Sequence, residues 1–80
     1  MTDAVADARI LIEKIAKWMV DAPDEVFVEQ FDDGVIELEV SEGDVGKIIG
    51  RQGRNVKALR TLLNAAAMRA RKRYTLEVID

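Results

Sequence analysis

Ile36, Leu38 and Val40 alternate with Glu37 and Glu39, so a strand over 35–40 has one face fit for burial and one that must stay wet. That segment limits the architecture, because the rest of the chain's apolar surface then has to gather on one side of a sheet. Residues 26–31 are β-rich in type, and Asp32-Asp33-Gly34 between the two runs is a hairpin signal, so strands 26–31 and 35–40 should pair antiparallel. Ahead of the hairpin, Ala8, Leu11, Ile12, Ile15 and Met19 recur at helical spacing. They predict a helix over 4–20, with Thr2 or Asp3 as its N-cap. Asp21-Ala22-Pro23-Asp24 ends that helix, since the residue before a proline is pushed out of the α region.

Beyond the hairpin, Asp44 can cap a short helix over 44–49, which Gly50 stops. A longer helix follows over 54–71, with Val56, Leu59, Leu63, Ala66 and Ala70 along its core face. A strand over 74–79 closes the chain, with Leu76 and Val78 on one side. The order is α-β-β-α-α-β. Two helices joining the second and third strands make a right-handed crossover and bring those strands parallel. The expectation is one α+β domain over residues 1–80, a three-stranded mixed sheet with three helices on one face.

What such a domain can do is narrowed by what it lacks. The 80 residues include neither cysteine nor histidine, which removes disulfides, zinc–thiolate sites and the commonest general base. Catalysis would have to use carboxylates, lysines or the hydroxyls of Thr2, Ser41, Thr61 and Thr75, and a small enzyme is the remote reading. No metal or cofactor is expected. No apolar stretch approaches the roughly 18–20 residues of a membrane span, and no signal-peptide pattern opens the chain. A cytoplasmic, non-enzymatic binding module is the expectation, with no membrane insertion.

The formal charge of −3 hides a polarity. Residues 1–42 hold twelve acids and three bases, a net of −9; residues 43–80 hold nine bases and three acids, a net of +6. No acid interrupts the nine Lys and Arg residues between Gly46 and Arg73. Such polarity suits an anionic partner for one face. It equally fits two solvated faces that aid solubility or self-association.

Within the basic half, Gly50-Arg51-Gln52-Gly53 sits at the joint of the two predicted helices. Gly46-Lys47 is followed by Ile48, so this is no Walker loop, and no two glycines here are separated by one residue as a Rossmann fingerprint requires. Gly50 and Gly53 tolerate positive φ and let a ligand backbone come close. The second helix offers free N–H groups and its positive dipole end just beyond Gly53. Arg51, Arg54 and Lys57 add charge there, and Ile48, Ile49 and Val56 can floor a groove for unstacked bases, though a small domain needs them partly as core and at most one or two should line the groove. A phosphodiester backbone is the natural ligand.

The run Ile48-Ile49-Gly50-Arg51-Gln52-Gly53-Arg54-Asn55-Val56 is similar to the KH-domain signature, and the element order resembles the type II KH-like fold. Gly46 to Arg54 and Leu59 to Ala67 resemble the pattern of the KhpA family of small bacterial RNA-binding proteins, over nearly the whole chain. The resemblance implies binding of single-stranded RNA, with Gly50–Gly53 clamping about four nucleotides. It places Lys47, Ile48, Ile49, Gly50, Arg51, Gln52, Gly53, Arg54, Val56 and Lys57 at the RNA. It also implies a homodimer, or a heterodimer with a larger KhpB/Jag-type KH protein. RNA-chaperone or post-transcriptional regulation, linked to cell shape and cell-wall growth, comes with it.

The remaining positions carry less. None of Trp18, Phe27, Phe31 and Tyr74 falls in the signature, so aromatic base stacking is not expected and sequence specificity should be low. Trp18 departs from the first helix's stripe; it is expected to pack, partially buried, in the core, the other reading being an exposed anchor for a partner. Gly46 is expected to let another segment approach closely. Arg69, Arg71, Lys72 and Arg73 either extend the basic footprint or simply suit a helix end. The alternative to an RNA clamp is a dimerising subunit that scaffolds a larger RNA-binding partner.

Overall fold

The computed structural model describes residues 4–79, with side chains from Ala8 onward, so the N-cap expected from Thr2 or Asp3 lies outside the described residues. The elements are α1 (Ala4–Met19), β1 (Phe27–Gln30), β2 (Val35–Glu39), α2 (Val45–Ile49), α3 (Arg54–Ala70) and β3 (Thr75–Ile79). Short 3-10 turns at Pro23–Glu25, Glu42–Asp44 and Arg51–Gly53 join them. This is the expected α+β order. Most ends fall one residue inside the expected spans, and Val26, Val40 and Tyr74 lie just outside their strands yet are still buried.

β2 is the central strand, antiparallel to β1 and parallel to β3. Val28, Leu38 and Val78 form one cross-strand row and Gln30, Ile36 and Leu76 the next. Their apolar members face the helices, and Ile36, Leu38 and Leu76 are almost wholly buried. Ile12, Ile48, Leu59 and Leu63 close over them from the three helices. Burying each such side chain is worth about 1.5–3 kcal/mol.

The α1 stripe is narrower than its sequence suggests. Ala8, Ile12 and Ala16 have no exposed surface, while Leu11, Ile15 and Met19 are only partly covered. Trp18 is 84% exposed, which corrects its expected place in the core. At 3.6 residues per turn, position 18 lies about 200° around the helix from Ala16. The small side chains of Ala8 and Ala16 also bring α1 close to the core and leave no room for an indole. On α3 the fourth core position is Ala67, with Ala66 and Ala70 partly exposed beside it.

The hairpin turn does two things. Gly34 N–H donates to the Phe31 carbonyl at 3.0 Å, Phe31 N–H donates to the Val35 carbonyl at 2.9 Å, and Asp33 Oδ1 accepts from Val35 N–H at 3.1 Å. Gly34 has φ +90°, the αL residue that a three-residue hairpin connection uses. Its carbonyl accepts from Thr75 N–H at 3.0 Å, and a Cβ at Gly34 would strike the Arg73 carbonyl oxygen.

Candidate nucleic-acid interface

The joint between α2 and α3 is built from backbone torsions that few residues adopt. Gly50 has φ 75° and ψ 171°, a region open essentially to glycine alone. Gln52 (φ 57°, ψ 24°) and Gly53 (φ 75°, ψ 16°) are left-handed, and Arg54 returns to the right-handed helix. Gly50 N–H closes α2 on the Gly46 carbonyl at 2.8 Å, and Gly53 N–H donates to the Gly50 carbonyl at 3.1 Å. Arg54 N–H donates to the Arg51 carbonyl. Among the described residues, the N–H groups of Arg51 and Gln52 find no main-chain acceptor.

Asn55 holds this turn in place. Its Nδ2 donates to the Lys47 carbonyl at 2.7 Å, taking the acceptor that α2 would have used had it continued. A Cβ on Gly50 would sit 2.6 Å from Asn55 Cγ, so the amide occupies the space glycine leaves. Sequence reasoning passed over Asn55 as a helix start. The signal was present: a short amide side chain two residues past the second glycine can reach back to an unsatisfied helix end.

Charge around the loop divides into two kinds. Arg51, Arg54 and Lys57 are exposed and make no ion pair among the described residues. Lys47 is different, which corrects its expected part as supporting charge. Its Nζ lies 2.9 Å from Asp21 Oδ2 and 3.2 Å from Asp44 Oδ1, so two carboxylates already match it. Asp44 is 3% exposed and makes no side-chain cap on α2, contrary to expectation. Instead it accepts from the N–H groups of Asp21 at 3.2 Å and Ala22 at 3.1 Å, tying the chain after α1 to the start of α2. Burial pushes the Asp44 carboxyl up, but those two N–H groups and Lys47 outweigh it and hold it below the ordinary aspartate value. The Lys47 ammonium is pushed up by its hydrogen bonds to Asp21 and Asp44, against a smaller opposing effect of burial.

Of Ile48, Ile49 and Val56, one is left at the surface, within the one or two expected to line a groove. Ile48 has no exposed surface and Val56 only 6%, so both belong to the core. Ile49 is partly exposed, as is Val45 one turn earlier on α2. Val45, Val40 and Ile79 line a depression rimmed by Glu39 and Glu42. Gly46 has nothing within 4 Å of where its Cβ would be, so the close approach expected there is absent.

A family model described as KhpA/KhpB, KH domain matches residues 9–78. The chain belongs to the KhpA family. RNA-binding protein KhpA of Halalkalibacterium halodurans is 48% identical over 75 residues, covering 90% of this chain and 99% of that protein. KhpA of Clostridium acetobutylicum is 47% identical over 72 residues, 86% of this chain and 96% of the relative. KhpA of Borreliella burgdorferi is 49% identical over 73 residues, 88% and 89%. No solved structure matches the chain.

The KhpA-family match takes in β1 to α3 entire and β3 as far as Val78, with the glycine loop inside it. The other basic cluster stands apart from that loop. Arg71, Lys72 and Arg73 follow the far end of α3, about 25 Å along the helix at 1.5 Å per residue. Arg71 has φ 56° and ψ 42°, with its N–H on the Met68 carbonyl and that of Lys72 on the Ala67 carbonyl. That is a Schellman ending with arginine where glycine is usual. Arg60 lies between, its guanidinium 3.3 Å from the Leu76 carbonyl.

Proposed function

We propose that this chain is a non-enzymatic RNA-binding protein that clamps a single strand by its backbone. The observation carrying the reading is the pair of unclaimed N–H groups on Arg51 and Gln52, held by Gly50 and Gly53 at the head of α3. Arg51, Arg54 and Lys57 surround them with unpaired charge. Phosphate oxygens accept from such N–H groups, and the helix dipole favours their charge. Ile49 and Val45 supply the apolar contact for bases, while Ile48, Val56 and Lys47 shape the site from within. Gly46 leaves open space beside α2, which suits a ligand passing close. The relatives' name, RNA-binding protein, agrees.

With about three phosphates contacted, the salt slope should be near −2, at roughly −0.7 per phosphate on a single strand. A single copy is then a weak binder, and a second KH domain would raise avidity through effective concentration. The family model joins KhpA with KhpB, which supports a KhpB-type partner; a homodimer is the other source of a second domain. RNA-chaperone or post-transcriptional action, cytoplasmic and linked to cell shape and wall growth, completes the reading.

One observation favours a second reading, the scaffold. Leu62 is 44% and Met68 80% exposed, and Ala58 and Ala65 are exposed on the same helix, an outer face suited to a partner. Fluorescence anisotropy with a labelled single-stranded RNA of about twelve nucleotides, several times the roughly four that one KH loop clamps, separates the two readings. Salt-sensitive binding lost in Arg51→Asp/Gln52→Asp establishes the clamp. No binding by either protein, both folded by circular dichroism, overturns the clamp and moves the weight to the scaffold.

A further inference from the structure

The helices cover one face of the sheet, and the register fixes what the other carries. Glu29 stands opposite Glu37, and Glu37 opposite Glu77, so one row across all three strands is carboxylate throughout. The next row is Phe27, Glu39 and Ile79, with Phe27 60% and Ile79 37% exposed. Phe27, Glu29, Glu37, Glu39 and Ile79 line a shallow depression on this face. Strands lie about 4.8 Å apart, and like charges directly opposite are unfavourable. None of the four glutamates has an ion-pair partner among the described residues.

The complement lies on the helical side of the same molecule: Arg51, Arg54 and Lys57, exposed and likewise unpaired. We propose that the acidic sheet face of one copy docks on the basic loop face of a second copy, the row Glu29–Glu37–Glu77 standing in for the loop's anionic ligand. The two surfaces differ, so the contact is head-to-tail, and association is open-ended unless the rotation closes a ring. Exposed charge pairs are screened at high salt, so the contact is salt-labile. The competing account is that the glutamates only keep an open sheet from sticking to others, and it requires no association at all. The inference rests on the charge of two faces and not on which anion the loop binds, so its test contains no RNA.

Sedimentation velocity over a concentration series, at about 20 mM and about 500 mM salt, brackets weak and strong screening. Glu29→Gln/Glu37→Gln/Glu77→Gln is compared with Asp24→Asn/Glu25→Gln/Asp32→Asn, which changes the net charge equally at exposed sites off that face. Arg51→Gln/Arg54→Gln/Lys57→Gln is paired likewise with Arg69→Gln/Arg71→Gln/Lys72→Gln. The wild type and both controls should show salt-labile growth in size. The sheet and loop variants should each associate at least about threefold more weakly, the least that three exposed ion pairs contribute. A dimer formed through another surface is common to the wild type, the variants and the controls, and does not enter this difference. No growth in the wild type at low salt, or growth that either the sheet or the loop variant retains in full, overturns the proposal.

Discussion

The side-chain amide of Asn55 donates a 2.7 Å hydrogen bond to the main-chain carbonyl of Lys47, and through it the first turn of α3 is tied to the last turn of α2. The bond crosses the loop that turns the chain between the two helices. The Lys47 side chain meanwhile reaches the other way, to Asp21 and Asp44. One residue thus links the loop to the turn that follows α1.

Asn55→Ala should therefore separate binding from folding. Losing one hydrogen bond at an exposed site costs about 0.5–1.5 kcal/mol of stability, so the protein stays folded. RNA affinity should fall by more than that loss accounts for, because the loop is no longer held in its binding shape. Thermal unfolding alongside anisotropy checks this, and equal losses in both would make Asn55 merely structural.

The two loop glycines should not be equivalent. Gly53→Ala faces only the left-handed torsion, at about 1–2 kcal/mol, since its nearest neighbour, Val56 Cγ1, is 3.9 Å from the new Cβ. Gly50→Ala meets a torsion costing about 1–3 kcal/mol and strikes Asn55 as well. Urea unfolding should rank Gly50→Ala as the worse. In Gly50→Ala/Asn55→Ala the two losses should sum to more than the double variant shows, since truncation removes the two nearest contacts, Cγ and Nδ2, and leaves only the residue-55 Cβ at 2.9 Å.

Acid should act through Asp44. Its carboxyl is held below the ordinary value in the folded protein, so its contribution is complete above the unfolded value of about 4 and fades as pH falls through the depressed folded value. Asp44→Asn should lower the melting temperature at pH 7 and converge with wild type in strong acid. Melting curves from about pH 7 down into strong acid, through the unfolded value and below it, test this; a constant gap would mean the charge is not what matters. Lys47 works in the opposite sense, its contribution fading only as strongly alkaline pH passes its raised value.

Arg71→Gly should stabilise. Arg71 is left-handed at the end of α3, a torsion costing a non-glycine residue about 1–2 kcal/mol. Glycine's extra unfolded-state entropy returns about 0.5–1 kcal/mol of that, leaving a net gain of roughly 0.5–1 kcal/mol. Chemical denaturation measures it, and RNA binding should change little, because Arg71 is distant from the loop.

Much of this molecule was legible because its signals are local. The Glu37–Glu39 alternation fixed which face of β2 is wet, and Gly50 and Gly53 marked the joint. What escaped depends on contacts distant in sequence. Lys47 reads as a free cation until Asp21, 26 residues earlier, is seen beside it. A five-residue helix is too short for periodicity to say which isoleucine faces inward, so Ile48 and Ile49 could not be told apart. Trp18 is a different case: its departure from the stripe already put it about 200° from Ala16, and its exposure follows from that angle.

The notch at Gly34 bears on how the last strand finds its place. An antiparallel pair inherits its alignment from its turn, but a parallel pair joined through two helices has slack in the connection. A slip of one residue would bring Thr75 and Glu77 inward and send Leu76 and Val78 to the acidic side. The Thr75 N–H on the Gly34 carbonyl, with Arg73 wedged where a Cβ would be, gives the strand a mechanical stop at its first residue. Completing the hairpin before β3 arrives is then what makes that arrival unambiguous, and a bulkier residue at 34 should produce misaligned chains as well as weaker ones.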